Sequence, residues 1–176
     1  MTIARAIGLA ALPIVVLLSP AAASADTPVV QVDGGYAFMT DEVDNVSFPA
    51  GWTAGVAVRV WRSWLSGVGG ISGHYKTEPL IESRLRLTEH AFLGGARATV
   101  SFKRLREYGQ FLVGDVRSSG TLFGESDVEH HFATQPGGGA DFAVTNRMAI
   151  RGEVDVRFLN GGHQFVVATG LVFTLK

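Results

Sequence analysis

Met148-Ala149-Ile150-Arg151-Gly152-Glu153-Val154-Asp155-Val156-Arg157-Phe158 alternates without a break. Ala149, Arg151, Glu153, Asp155 and Arg157 fill one set of positions. Met148, Ile150, Gly152, Val154, Val156 and Phe158 fill the other. Successive side chains of a β-strand point to opposite faces, so a period of two means one ionic face and one apolar face. A helix would scatter the four charges around its circumference. A soluble sheet turns such an apolar face inward, whereas a membrane barrel turns it to lipid and keeps the ionic face in its lumen. The stretch fits both arrangements, and the rest of the chain has to orient it.

The 176 residues are enough for one domain. A formal net charge of −1 gives no electrostatic case for nucleic acid, and none is expected as a partner. The absence of Cys excludes disulfides, thiol chemistry and a lipid anchor on an N-terminal Cys. The 22 glycines, with abundant Val, Phe and Thr, point to an all-β chain. Residues 1–25 read as a secretory signal peptide: Arg5, an apolar run over 6–18, and the small-residue cleavage site Ala23-Ser24-Ala25. Residues 26–176 then form the mature domain, beginning near Asp26. No later stretch approaches a transmembrane helix, so a membrane-embedded mature protein requires a closed barrel.

Eight strand-like segments follow the signal, at about 29–39, 51–61, 65–76, 89–102, 108–117, 130–144, 148–158 and 162–176. Their length of about 10 to 14 residues suits a tilted bilayer crossing better than a soluble sandwich. Short turns are expected at Arg62-Ser63, 103–107, Thr145-Asn146-Arg147 and Asn160-Gly161-Gly162. Longer polar loops are expected at 40–47, 77–88 and 118–129. This alternation predicts a meander with both termini at the short-turn end. The segment at 108–117 is the least regular, because Phe111 and Val113 facing outward carry Asp115 with them.

The two faces differ in size as well as polarity. Trp52, Phe92 and Phe142 lie on the apolar set. Asp33, Arg59, Lys76, Arg97, Asp141, Arg151, Glu153, Asp155 and Arg157 lie on the other, interspersed with Gly and Ala. Small residues are needed inside a narrow eight-stranded barrel and serve no purpose on its outside. A turn centred near Asn146 places Asp141 opposite Arg151. The charges Asp33, Arg59, Arg97, Asp141, Arg151, Glu153, Asp155 and Arg157 are therefore assigned to a luminal ion-pair network, since a buried charge needs a partner. Turning Arg151 and Arg157 to lipid would cost roughly 4–8 kcal/mol together. Trp61, Trp64 and Tyr108 at one end, and Trp52, Tyr75 and Phe158 at the other, suggest two aromatic girdles.

The last strand exposes Phe165, Val167, Leu171, Phe173 and Leu175 on one face. Gly170, Phe173 and Leu175 match the C-terminal assembly signal of outer-membrane barrels. The segment departs from that pattern at Ala168, where a polar residue is usual, and at Lys176, where an aromatic often ends the chain. With Gly34-Gly35-Tyr36-Ala37-Phe38, Phe92-Leu93-Gly94-Gly95-Ala96-Arg97 and Gln135-Pro136-Gly137-Gly138-Gly139-Ala140-Asp141, the chain resembles the eight-stranded bacterial outer-membrane β-barrel family. It is similar to the transmembrane domain of outer membrane protein A and its small relatives. The resemblance implies an eight-stranded antiparallel up-and-down transmembrane barrel with a polar, side-chain-filled lumen. It also implies residence in the bacterial outer membrane and contact with outer-membrane lipid and lipopolysaccharide. Insertion by the outer-membrane assembly machinery, a monomeric state, no catalysis and no cofactor are expected with it. No peptidoglycan-binding segment follows, so the cell-wall role of longer relatives is not expected.

Other chemistry is thinly supported. His74, His90, His130, His131 and His163 all fall at the loop end, near Glu89, Glu125, Asp127 and Glu129. None of their spacings is a metal-ligand motif, and no metal site is assigned. Ser126, with His130 or His131 and Glu129, is the nominal hydrolase set, carried by proximity alone. Gly69-Gly70 and Gly137-Gly138-Gly139 lack the helix and Lys of a phosphate loop. The expected function is structural, or surface interaction through the longer loops. A narrow solute pore, a secreted lipocalin-like binding barrel and a lipid-modifying enzyme remain as alternatives.

Overall fold

The computed structural model describes residues 29–41, 46–61, 64–79, 84–122 and 125–175. The signal-like segment at 1–25 and the turn Arg62-Ser63 lie outside these residues. Among the described residues there are nine strand elements: β1 (Val30–Asp41), β2 (Val46–Phe48), β3 (Ala50–Trp61), β4 (Leu65–Pro79), β5 (Arg84–Phe102), β6 (Leu105–Leu122), β7 (Glu125–Ala143), β8 (Met148–Leu159) and β9 (Gly162–Leu175). Each pairs antiparallel with its neighbours, and β1 pairs with β9 from Val30↔Leu175 to Asp41↔Gln164, which closes the sheet. β2 and β3 form one stave broken at Pro49, which has no N–H to give a ladder. The register against β1 slips there by one residue, between Tyr36↔Trp52 and Met39↔Phe48. The Tyr36 hydroxyl donates to the Pro49 carbonyl at the break. The architecture is an all-β, eight-stranded, antiparallel up-and-down barrel.

The register fixes the tilt of the staves. Followed from partner to partner, Met39 leads to Val166, Asp155, Gly137, Gln110, Arg97, Ser66 and Arg59. The Arg59 amide then meets the Val29 carbonyl, ten residues before Met39. A shear of this size over eight staves corresponds to a tilt of about 40°. At that tilt about 12 residues cross roughly 30 Å. β8, with 12 residues, is of that length, whereas β5, β6 and β7 have 19, 18 and 19. The excess in β5–β7 stands at the loop end, beyond the rest of the barrel.

That excess corrects two expectations. The loops anticipated at 77–88 and 118–129 are mostly strand, with pairing continuing to Pro79↔Arg84 and to Leu122↔Glu125. The basic turn is also shorter than anticipated: Phe102 pairs with Leu105, and Lys103 takes a positive φ of 52° between them. Thr145 organises the turn into β8, its hydroxyl accepting from the Arg147 and Met148 amides. The turn into β9 is Asn160-Gly161 between paired Leu159 and Gly162, and Gly161 at φ +107° needs the freedom of glycine.

Apolar side chains cover the outside. Val56, Phe92, Phe111, Phe132, Phe142, Ile150, Val154, Val167 and Leu171 are all exposed. Phe158, Phe173 and Leu175 continue this belt, with Trp61 and Trp64 at the short-turn end and Trp52 and Tyr75 at the other. The inside is mixed. Ala91, Leu93, Leu112, Val116 and Ala133 form an apolar patch on β5–β7, and Met39, Phe48 and Val166 form a second. Tyr108, anticipated in the outer girdle, is instead luminal and only 7 % exposed. It shares its face with Gln110 and Leu112, and the alternation of β6 carries it inward.

Candidate functional site

The luminal side chains form one column, joined by hydrogen bonds and by the Tyr108 ring. Near the short-turn end Arg151 Nε donates to Asp141 Oδ1 at 2.7 Å and Arg151 Nη1 to Asp33 Oδ1 at 2.8 Å. Arg106 Nη2 lies 3.6 Å from Asp141 Oδ2. Arg97 donates to Gln110 Oε1 at 3.0 and 2.7 Å and lies 3.5 Å from Glu153. Tyr108 joins these groups, its hydroxyl donating to Glu153. The Arg97 and Arg151 guanidinium carbons lie 4.1 and 4.9 Å from its ring centroid.

The column continues through amides. Gln110 and Gln135 donate to the two oxygens of Asp155 at 3.1 and 2.9 Å. Arg157, 1 % exposed, donates through Nε to Gln135 at 2.8 Å and through Nη1 to Glu89 at 2.7 Å. Gln164 then links Glu89, at 2.9 Å, to Asp41, at 3.2 Å. Hydrogen bonds on both partners are what make buried ion pairs tolerable.

Of the charges assigned from sequence, Asp33, Arg97, Asp141, Arg151, Glu153, Asp155 and Arg157 meet in this column. Arg59 borders a small lower cavity with Gln31, Arg97, Arg106 and Asp141. Gln110, Gln135, Gln164, Asp41, Glu89, Arg106 and Tyr108 belong to the column and are not assigned to it from sequence. Their strand parity was the available signal. Of the C-terminal set, Gly170 approaches β1 so closely that a Cβ would lie 2.4 Å from the Gly34 carbonyl oxygen. Phe173 and Leu175 stand outward and exposed.

Close packing makes one substitution diagnostic. A Cβ on Gly137 would fall 1.5 Å from Asp155 Oδ1 and 2.8 Å from its Cα, so backbone as well as carboxylate must move. Gly137→Ala is expected to destabilise the barrel by about 1–3 kcal/mol, read from urea unfolding in lipid vesicles. Gly152→Ala, with nothing within 4 Å of the added carbon, serves as the control that leaves the midpoint in place.

Above the column the barrel opens into a cup of about 460 Å³. Phe48, Leu87 and Leu159 line it together with Asp41, Glu89, Asp127, Glu129 and His131. Below it the lumen holds pockets of about 50, 20 and 30 Å³. The five histidines are divided by face. His74 is fully buried inside, and His131 lies inside, 3.3 Å from Glu129. His90, His130 and His163 face outward; His130 Nδ1 lies 2.9 Å from Asp115 Oδ2, and His163 packs between Phe158 and Phe165. The Ser126 side chain lies outside the described residues. The two imidazoles nominated with it, His130 and His131, occupy opposite faces of β7.

No protein-family model and no curated protein sequence matches the chain. Solved structures do. Ail, the attachment invasion locus protein of Yersinia pestis, in complex with the heparin analogue sucrose octasulfate, aligns with a TM-score of 0.66 at 14% identity, over 84% of this chain and 99% of Ail. Neisserial surface protein A aligns at 0.59 and 13% identity, over 83% and 96%. The N-terminal β-barrel domain of Pseudomonas aeruginosa OprF aligns at 0.59 and 9% identity, over 84% and 97%. The chain therefore has the fold of the small eight-stranded outer-membrane β-barrels.

Proposed function

We propose that this chain is an integral protein of a bacterial outer membrane, with a structural or surface-interaction role and no catalytic one. The observation that carries the reading is inverted polarity. Three arginines and their carboxylate partners are sealed inside, while Phe92, Phe132, Val154 and Phe173 are exposed outside. A water-soluble binding barrel has the opposite arrangement. Only a lipid environment rewards a continuous exposed apolar belt around a closed barrel. Outer-membrane lipid and lipopolysaccharide are then the partners of the belt. Gly170, Phe173 and Leu175 would present the final strand to the assembly machinery of a monomer. Interaction with other surfaces falls to the protruding β4–β5 and β6–β7 hairpins.

The heparin analogue held by Ail does not suggest a sulfated ligand for the cup here, because Asp41, Glu89, Asp127 and Glu129 line it. The test of the membrane reading is fractionation with heated and unheated gel mobility. The protein is expected in the membrane fraction, with a folded band that shifts on heating. A soluble, heat-insensitive protein refutes the reading. In planar bilayers the intact column is expected to give no stepwise conductance. Reproducible single-channel steps would favour the pore alternative.

A further inference from the structure

The outer faces of β5, β6 and β7 carry an arginine flanked by two imidazoles at the upper edge of the apolar belt. His90, Arg117 and His130 are directly opposed across the three strands. The next outward row below is Phe92, Asp115 and Phe132. Arg86 stands exposed two outward positions above His90. The inner faces of the same strands carry Glu89, Asp127 and Glu129 on the wall of the cup. On this wall the described arginines, Arg86 and Arg117, stand outside and the carboxylates Glu89, Asp127 and Glu129 inside. Asp115 is the outward exception, and its carboxylate is held by His130 at 2.9 Å. Arg117 has no ion-pair partner among the described residues.

The row is positioned rather than loose. His90 Nε2 lies 3.3 Å from the Tyr75 hydroxyl, which accepts from Trp52 Nε1 at 3.0 Å. Both flanking imidazoles are therefore anchored through one nitrogen. The row sits about 12 residues, or roughly 30 Å along the barrel axis, above the Lys103-Arg104 turn. That is the level at which a bilayer's apolar core gives way to headgroups. Phe92 and Phe132 expose 53 % and 63 % of their surface directly beneath. A cation above two exposed rings is complementary to a phosphate above acyl chains.

We propose that His90, Arg117 and His130 bind the phosphate of an anionic lipid in the surrounding leaflet, whose acyl chains lie against Phe92 and Phe132. This site rests on the membrane reading above. The test uses the full-length protein in phosphatidylcholine nanodiscs, titrated with fluorescent diphosphorylated lipid A. Arg117→Ala is expected to weaken binding about fivefold, with Arg117→Lys losing less. Arg147→Ala, at the opposite end of the barrel, is expected to bind as wild type does. Equal affinity of wild type and Arg117→Ala overturns the site, as does equal weakening by Arg147→Ala. Heat-shifted mobility of the same samples separates the two readings. A protein that inserts and binds without regard to Arg117 refutes only the lipid site; one that fails to insert refutes both.

Discussion

Val154→Arg is expected to abolish membrane assembly. Val154 stands in the middle of β8, 52 % exposed, opposite Gly138 and Val167 on the outer face. None of these neighbours offers a carboxylate. An arginine at the centre of the belt would cost about 2–4 kcal/mol. That is a large share of a typical folded domain's stability of about 5–15 kcal/mol. Its neighbours Glu153 and Asp155 point into the lumen and cannot reach it without turning the strand over. Turning the strand over would send Arg151 and Arg157 to lipid as well. The variant should lose the heat-shifted folded band and remain extractable by urea, while Val154→Leu behaves as wild type. Wild-type assembly of the arginine variant would mean that the two faces are assigned the wrong way round.

Arg157→Met is expected to produce the largest loss of stability from within the lumen. Arg157 is the cation for Glu89 at 2.7 Å and also ties Gln135 to the upper end of the column. Removing it leaves the Glu89 carboxylate, itself buried, with Gln164 but no cation. Breaking one side of a buried pair typically costs about 3–5 kcal/mol, most of it from the stranded charge. Neutralising that charge should therefore return much of the loss. Arg157→Met combined with Glu89→Gln is expected to unfold in urea nearer to wild type than Arg157→Met alone. The double-mutant cycle measures this coupling directly. If the two losses simply add, Glu89 draws its stability from elsewhere and the pair is not the energetic centre of the upper lumen.

The parts of the fold legible in the sequence are those where the two faces see different surroundings. β8 and β9 sit wholly within the belt, and their alternation gives both the strand and its orientation. Above the belt that contrast fades. Ser118, Ser119 and Gly120 carry no apolar side chain on either face of β6, so they resemble a loop in composition. Only their pairing with β5 and β7 keeps them extended. Tyr108 reads as a girdle residue for a related reason. An aromatic near a turn suits an interfacial girdle, and its true role depends on Arg97, Arg151 and Glu153 arriving from two other strands. Asp33, Arg97, Asp141, Arg151, Glu153, Asp155 and Arg157 announce themselves by sign, whereas Glu89 at the start of its segment reads with the rim histidines. Gln110, Gln135 and Gln164 do not announce themselves, since a glutamine on an inner face reads as filler until the carboxylates beside it are known. The division of the histidines between faces followed from parity, but their common location at one end obscured it.

The order of the column's members along the chain has a kinetic consequence. Asp33, Glu89, Arg97 and Asp141 all precede the final hairpin, while Arg151, Glu153, Asp155, Arg157 and Gln164 are all on it. Arg151 reaches back 118 residues to Asp33, and Gln164 reaches back 123 to Asp41. Contacts of such long range form late, because the intervening chain must first be brought round. A chain emerging from its N-terminus would thus carry unsatisfied charges along its inner edge until β8 and β9 appear. Those charges oppose entry into lipid while they are alone and become neutral to it once paired. On the proposed membrane reading the last hairpin would act as a latch, and a chain halted before it would stay on the watery side of the membrane.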